Sequence, residues 1–308
     1  MTVPHQRLDS ANRRSAEAVL DSHVHFWDPR RISYPWLSEA PPLDRPFTPD
    51  DFDASRPRGT SAIFVEAGRS EQHAAAEIEW VRGEADQHPW ILGAVAHVPL
   101  EAPATAETMI RGYADDPFVV GVRRNLQDEP AGFTADAGLR AGVSQLGDAG
   151  LPFDACVREH QLPELAQLAA ACPGTTIVLD HLGKPKSAAP GQSPWRRALR
   201  RLAEHDNVVC KLSGVATEID PKTPRPAVIS LLHEVLNTFG PERCLYGGDW
   251  PVMTVATTYE DWFGLVHDAL GAYPPAIADA VLCTNAQRVY RVRAIPPDDT
   301  QPELRGLA

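Results

Sequence analysis

Short β-rich runs alternate with amphipathic stretches along most of the chain. Eight runs read as strands, at 19–23, 61–66, 91–97, 119–124, 152–157, 176–181, 208–213 and 244–249. Most carry few charges until their last residues, the pattern of parallel strands covered on both faces. Between them, apolar residues recur at helical spacing. In 225–240, Val228, Leu231, Leu232, Val235, Leu236 and Phe239 make one face, and Gly240-Pro241 supplies a stop. In 160–172 the stripe is Leu162, Leu165, Ala166, Ala169 and Cys172. Weaker helical patterns cover 71–87 and 136–149. Strand and helix alternating eight times predicts an α/β fold, a single (β/α)8 TIM barrel over residues 18–293. The rival is an open doubly wound sheet, but no Gly-x-Gly-x-x-Gly follows the first strand.

Two connections are long and rich in proline, 28–58 and 183–195. Both follow a strand, so in a barrel both overhang the C-terminal ends of the strands, where active sites sit. Residues 1–17 read as a polar N-terminal arm and 294–308 as a proline-containing tail.

The polar residues at the strand ends carry the chemistry. The first strand ends Asp21-Ser22-His23-Val24-His25, and alternation puts His23 and His25 on one face. Two converging imidazoles suit a divalent metal or an acid–base pair. A His-x-His alone is often an ordinary turn, but two further strands end the same way. The sixth ends Asp180-His181-Leu182-Gly183-Lys184 and the eighth Gly247-Gly248-Asp249-Trp250-Pro251. In a barrel these groups face one cavity.

These motifs resemble the amidohydrolase superfamily. Within it they are similar to amidohydrolase family 2 and its branch of sugar-acid and dicarboxylate lactonases, of the L-fucono-, L-rhamnono- and 2-pyrone-4,6-dicarboxylate-lactonase type. The resemblance extends to Tyr34-Pro35-Trp36-Leu37, Gly121-Val122-Arg123-Arg124, Gln161-Leu162-Pro163-Glu164-Leu165, Lys211-Leu212-Ser213-Gly214 and Asn285-Ala286-Gln287-Arg288-Val289-Tyr290, and so covers roughly residues 19–290. It implies hydrolysis by an activated water. His23 and His25 match the first-strand pair, His181 the sixth-strand histidine, and Asp249 the base that takes a proton from water. Relatives with firmly bound metal add a carboxylated Lys or a Glu on the fourth strand, or a His on the fifth. Here those strands end Arg123-Arg124-Asn125 and Asp154-Ala155-Cys156-Val157-Arg158. His23, His25 and Asp249 still make three ligands for one Zn²⁺ with an open position, with Glu66 or Cys156 as candidate assistants. The branch also contains lactonases that work without metal, so both modes stay open. A non-oxidative decarboxylase of an aromatic or muconate-like acid is the alternative on this frame, and the absent fifth-strand histidine counts against it. A non-catalytic ligand-binding barrel is a third reading, disfavoured by the presence of all four polar residues.

Charge sharpens the expected substrate. The chain has 29 Lys plus Arg against 41 Asp plus Glu, a formal net charge of −12. That disfavours nucleic acid and anionic membranes as partners and points to a small molecule. Yet Lys184, Lys211, Arg123, Arg124 and Arg158 stand near strand ends. Alternation turns either Arg123 or Arg124 inward, not both. Together they suggest a cationic mouth for a carboxylate, hydroxyl-rich or oxyanionic group. Trp27, Trp36 and Trp250 are candidates for stacking on a sugar-like ring, with packing as the plainer reading. His97 reads as a group behind the site and His160 as a cap or surface residue. The five cysteines, scattered and odd in number, fit a reducing cytoplasm. Homo-oligomers stay open.

Overall fold

The computed structural model describes residues 18–191 and 193–294. The expected arm at 1–17 and tail after 294 lie outside the described residues. Eight strands form one parallel sheet in chain order: β1 (Val19–Val24), β2 (Thr60–Val65), β3 (Ile91–His97), β4 (Val119–Asn125), β5 (Phe153–Cys156), β6 (Ile177–Leu179), β7 (Val208–Leu212) and β8 (Cys244–Tyr246). The described helices are α1 (Pro49–Asp53), α2 (Ala74–Ala85), α3 (Pro103–Ala114), α4 (Ala137–Ala149), α5 (Leu162–Ala171), α6 (Pro194–Ala203), α7 (Arg225–Phe239), α8 (Tyr259–Leu270), α9 (Pro275–Asp279) and α10 (Asn285–Tyr290). This is the expected (β/α)8 barrel. None of the described helices is long and apolar enough to cross a membrane.

The barrel closes where β1 meets the segment after β8. Val24 bridges Trp250 in parallel. The His25 amide donates to the Trp250 carbonyl at 2.7 Å, and the Asp249 amide donates to the His23 carbonyl at 2.8 Å. The buried carboxyl of Asp21 accepts from the amides of His23 (2.9 Å) and Gly248 (2.8 Å) and from the Tyr259 hydroxyl (2.7 Å). The same seam therefore fixes two backbones that carry site residues.

The core has two parts. The larger lies between strands and helices, and includes the predicted faces of α5 and α7. The smaller gathers Leu20, Ile63, Val65, Val95, Val178, Val209 and Leu245 with Tyr290 of α10. These are alternate residues of the strands, so they fill the barrel interior. Toward the C-terminal ends come His23 of β1, Asp154 of β5, Lys211 of β7 and Asp180 just after β6, all buried. The interior thus changes from apolar to charged toward the C-terminal ends.

Strand ends differ from the sequence reading. β6 stops at Leu179 and β8 at Tyr246, earlier than expected. His181, Leu182 and Lys184 adopt φ of 55°, 56° and 52°, and Asp249 adopts 61°. These left-handed residues cannot continue a strand. The 28–58 connection is not a plain loop, because α1 and two 3₁₀ turns organise it. Trp27 bolts it down: its indole donates to the carbonyls of Leu43 (3.1 Å) and Arg45 (2.9 Å). Trp250 packs on Phe26, Phe47 and Phe52 with ring centroids 5.2–6.0 Å apart. Both indoles are buried packing residues, in line with the plainer of the two readings rather than with stacking on a substrate ring. Trp36 is half-buried, with its indole N–H on the Ala67 carbonyl at 2.7 Å.

One helix face carries a pH signature. Glu77 on α2 is fully buried and accepts from the Ala67 amide at 3.2 Å. Burial, reinforced by the nearby Glu66 carboxylate, pushes its carboxyl from 4.5 up to about 8. Between those values only the folded state keeps the proton, so this group's stabilising contribution is lost as pH rises through about 8. Glu77→Gln is therefore expected to raise Tm relative to the parent near pH ~9 and to change it less near pH ~5, measured by thermal unfolding.

Candidate active site

Four side chains converge at the C-terminal ends of β1, β6 and β8. His23 and His25 come from the end of β1, with Nε2 atoms 3.2 Å apart. Asp249 Oδ1 lies 3.8 Å from His23 Nε2, 3.5 Å from His25 Nε2 and 4.0 Å from His181 Nε2. None of the four is more than 5% exposed. The sequence-predicted quartet is thus assembled in space. The larger surface cavities lie elsewhere, notably between α6 and α7 around Arg200 and Glu234.

Each ring is oriented from behind. His25 Nδ1 donates to the Val65 carbonyl at 2.7 Å, which turns an Nε2 lone pair into the cluster. His181 Nδ1 pairs with the Ser213 hydroxyl at 2.9 Å. His23 Nδ1 has Lys211 Nζ at 3.1 Å and Asp180 Oδ1 at 3.2 Å, a donor and an acceptor, so either tautomer is served. Burial, with Lys211 alongside, holds His23 well below the ordinary histidine range. Burial likewise lowers His181 to about 4. Both are neutral near pH 7. For Asp249 burial alone would raise the carboxyl, but His181, His25 and His23 outweigh it and hold it far below the carboxylate range. A buried, ionised carboxylate beside neutral imidazoles can take a proton from a bound water.

The cationic groups separate by depth. Arg123 faces the cluster, with Nη1 3.4 Å from His23 Nε2 and Nε 3.4 Å from Glu66 Oε1. Its Nε–H makes no hydrogen bond among the described residues. Arg124 faces away, with its guanidinium on Glu101 (2.8 Å) and Glu129 (2.5 Å). That settles the alternation and corrects Arg124 as a pocket residue. Lys211 is not a rim residue either: it is fully buried, bonded to Asp154 and His23. Lys184 pairs with Glu218 at 3.0 Å across the loops after β6 and β7. Arg158 pairs with Asp128 at 2.8 Å near the surface. His97 sits beside Glu66 and Arg69, lowered to about 4 mainly by burial, and His160 is exposed.

Asp180 was missed as a site residue. It lies under His23, with ion-pair contacts to Lys211 (3.3 Å) and Arg123 (3.8 Å). The signal was available, since alternation in the predicted run 176–181 puts Asp180 on the same face as Val178, which lies in the barrel interior. Ser213, which orients His181, stood within a quoted motif without a role.

The donor set fits a metal ion. His23 Nε2, His25 Nε2 and Asp249 Oδ1 are 3.2–3.8 Å apart. A tetrahedron with bonds of about 2.0–2.1 Å has edges of ~3.3 Å. The assistants proposed for it are otherwise engaged. Glu66 contacts Arg69 (3.3 Å) and Arg123, and Cys156 is buried against the Gln127 side chain at 3.7 Å. All five cysteines are free and buried.

Space at the cluster depends on Gly214. Its φ is +63°, and a Cβ there would lie 2.3 Å from His181 Nδ1 and 3.0 Å from Asp249 Oδ2. Gly214→Ala is expected to cost about 1–2 kcal/mol of backbone strain and to displace His181. Unfolding curves and a variant crystal structure check this: lower stability with a turned His181 ring is the expected outcome.

The amidohydrolase family model matches residues 20–292. An L-fucono-1,5-lactonase from Burkholderia multivorans is 34% identical over 264 residues, spanning 80% of this chain and 86% of that protein. A second L-fucono-1,5-lactonase, from Burkholderia ambifaria, is 31% identical over 79% of this chain and 83% of its own. Among solved structures, an amidohydrolase from Burkholderia multivorans with bound zinc superposes with a TM-score of 0.78 at 31% identity, covering 90% of this chain and 100% of that one. The assembled His/His/His/Asp cluster at the mouth of a parallel barrel and a family match across nearly all of the described chain agree: this protein belongs to the amidohydrolase family.

Proposed function

We propose that the protein is a hydrolase that opens a small lactone, a sugar-acid or carboxylated lactone, by attack of water on the ring carbonyl. The observation that carries this is the buried Asp249 carboxylate within 3.5–4.0 Å of three imidazoles at the strand ends. The lactonase names of relatives above 30% identity support the substrate class.

Asp249 accepts the proton of the attacking water, so the nucleophile forms where it is needed. Arg123 supplies the charge for the oxygen that becomes negative as the carbonyl turns tetrahedral, from a guanidinium whose Nη1 edge faces the cluster while its Nε edge rests on Glu66. This role replaces those of Arg124 and Lys211, which are committed elsewhere. The proton held by Asp249 then passes to the departing ring oxygen, and His181, held by Ser213 with Nε2 4.0 Å from Asp249 Oδ1, orients that oxygen. Lys184 and half-buried Trp36 remain the candidate substrate contacts at the rim. His23, His25 and Asp249 would hold a divalent ion such as Zn²⁺, which when bound polarises a carbonyl and lowers the pKa of water. Hydrolysis by the side chains alone uses the same proton acceptor.

A panel of sugar-acid and carboxylated lactones, followed with a pH indicator, tests the activity. Acidification by at least one lactone is the expected result, and a panel without turnover refutes the proposal. Asp249→Asn is expected to lower kcat by about 10³-fold or more with the fold intact. Near-parental turnover in that variant excludes Asp249 as the base. Elemental analysis with assays before and after chelation separates metal-assisted from metal-free hydrolysis.

A further inference from the structure

Below the site is a cation that no substrate can touch. Lys211 on β7 is fully buried, as is Asp154 on β5, and Tyr290 of α10 is 1% exposed. An ammonium has three N–H donors. Here they face Asp154 Oδ2, His23 Nδ1 at 3.1 Å and Asp180 Oδ1 at 3.3 Å. The Tyr290 hydroxyl lies 2.9 Å from both oxygens of Asp154, and the Lys211 ammonium sits 5.4 Å above the Tyr290 ring. A lysine stem is flexible, so a fixed Nζ needs fixed partners. Asp154, pinned by the last described helix, is such a partner.

We propose that Asp154 and Tyr290 are positioning residues for the hydrolytic site: they hold Lys211, and through its ammonium they hold the His23 ring in line with Asp249. The inference rests on the function proposed above. Two carboxylates share one ammonium, and this sharing leaves Asp180 near both His23 and Arg123. With Asp154 neutralised, Asp180 is, among the described residues, the sole counter-charge in contact with Lys211. The ammonium then moves toward it, leaves His23 Nδ1, and draws Asp180 off Arg123. Catalysis suffers although nothing facing the substrate has changed.

The test uses Asp154→Asn in the full chain, with two readouts. For any lactone the parent hydrolyses, kcat is expected to fall about tenfold or more while KM stays within about twofold. In ¹⁵N-histidine-labelled protein, the His23 nitrogens are expected to shift while those of His233, whose Nε2 lies 2.7 Å from the Ala269 carbonyl, stay in place. Unchanged His23 shifts in folded Asp154→Asn overturn the proposal. So do shifts of both histidines, which would indicate general loosening. Should Asp154→Asn fail to fold, Tyr290→Phe decides: it leaves every charge in place, and the same His23 signals are expected to move by less. Parental signals there overturn the proposal. If the parent hydrolyses no lactone, the proposed function fails, and the nitrogen shifts still decide the positioning role.

Discussion

A carboxyl group without water must spend its oxygens on donors, and Asp21 does so across the seam of the barrel. Two backbone amides and one phenol converge on it, and burial raises it to about 7. The two amides belong to His23 and to Gly248, the neighbour of Asp249. Closing the sheet and bringing base to imidazoles are therefore one event. Were β1 and the segment after β8 to part by an ångström, the 3.5–3.8 Å contacts of Asp249 with His23 and His25 would go first.

Charge is organised by depth as well as by sign. The chain as a whole is acidic, at −12. Inside the barrel, Arg123 and Lys211 meet Glu66, Asp154 and Asp180 in a buried and nearly continuous array. Such arrays rarely add stability, because desolvation consumes the Coulomb gain. What this one provides is definition. Each imidazole has a partner on the side away from the cluster, and Arg123 is held against Glu66 and Asp180. The cationic lining expected from the sequence exists, but it is thinner and deeper than a ring of basic residues at the mouth.

Much of this was legible in the chain. Eight charge-poor runs with polar ends located the barrel and the quartet, because burial on both faces imposes that pattern. The misreadings share one cause. Alternation tells which residues share a face but not how deep along the strand a residue lies. Lys211 therefore looked like a rim group and proved to be a foundation, and Asp154 and Asp180 went unassigned. Alternation also left Arg123 and Arg124 level until the pairing of β4 with β3 and β5 was known. The early ends of β6 and β8 were hidden for a different reason. Non-glycine residues seldom adopt positive φ, and nothing in His181 or Asp249 themselves announces it. The tryptophans beside the motifs were ambiguous by nature, since a large amphipathic ring serves packing and recognition equally well.

The near-complete burial of the four central residues has a consequence for supply. Each cycle of hydrolysis consumes one water, and a site exposed by no more than 5% holds little in reserve. Water would then be limited by passage through the rim rather than by its bulk concentration. A pocket so provisioned discriminates by residence: a ligand that fills it and stays also bars the molecule needed to destroy it. Slow leaving groups and tight products would then act as stoppers, and the opening of the rim, not the chemistry beneath it, would pace turnover.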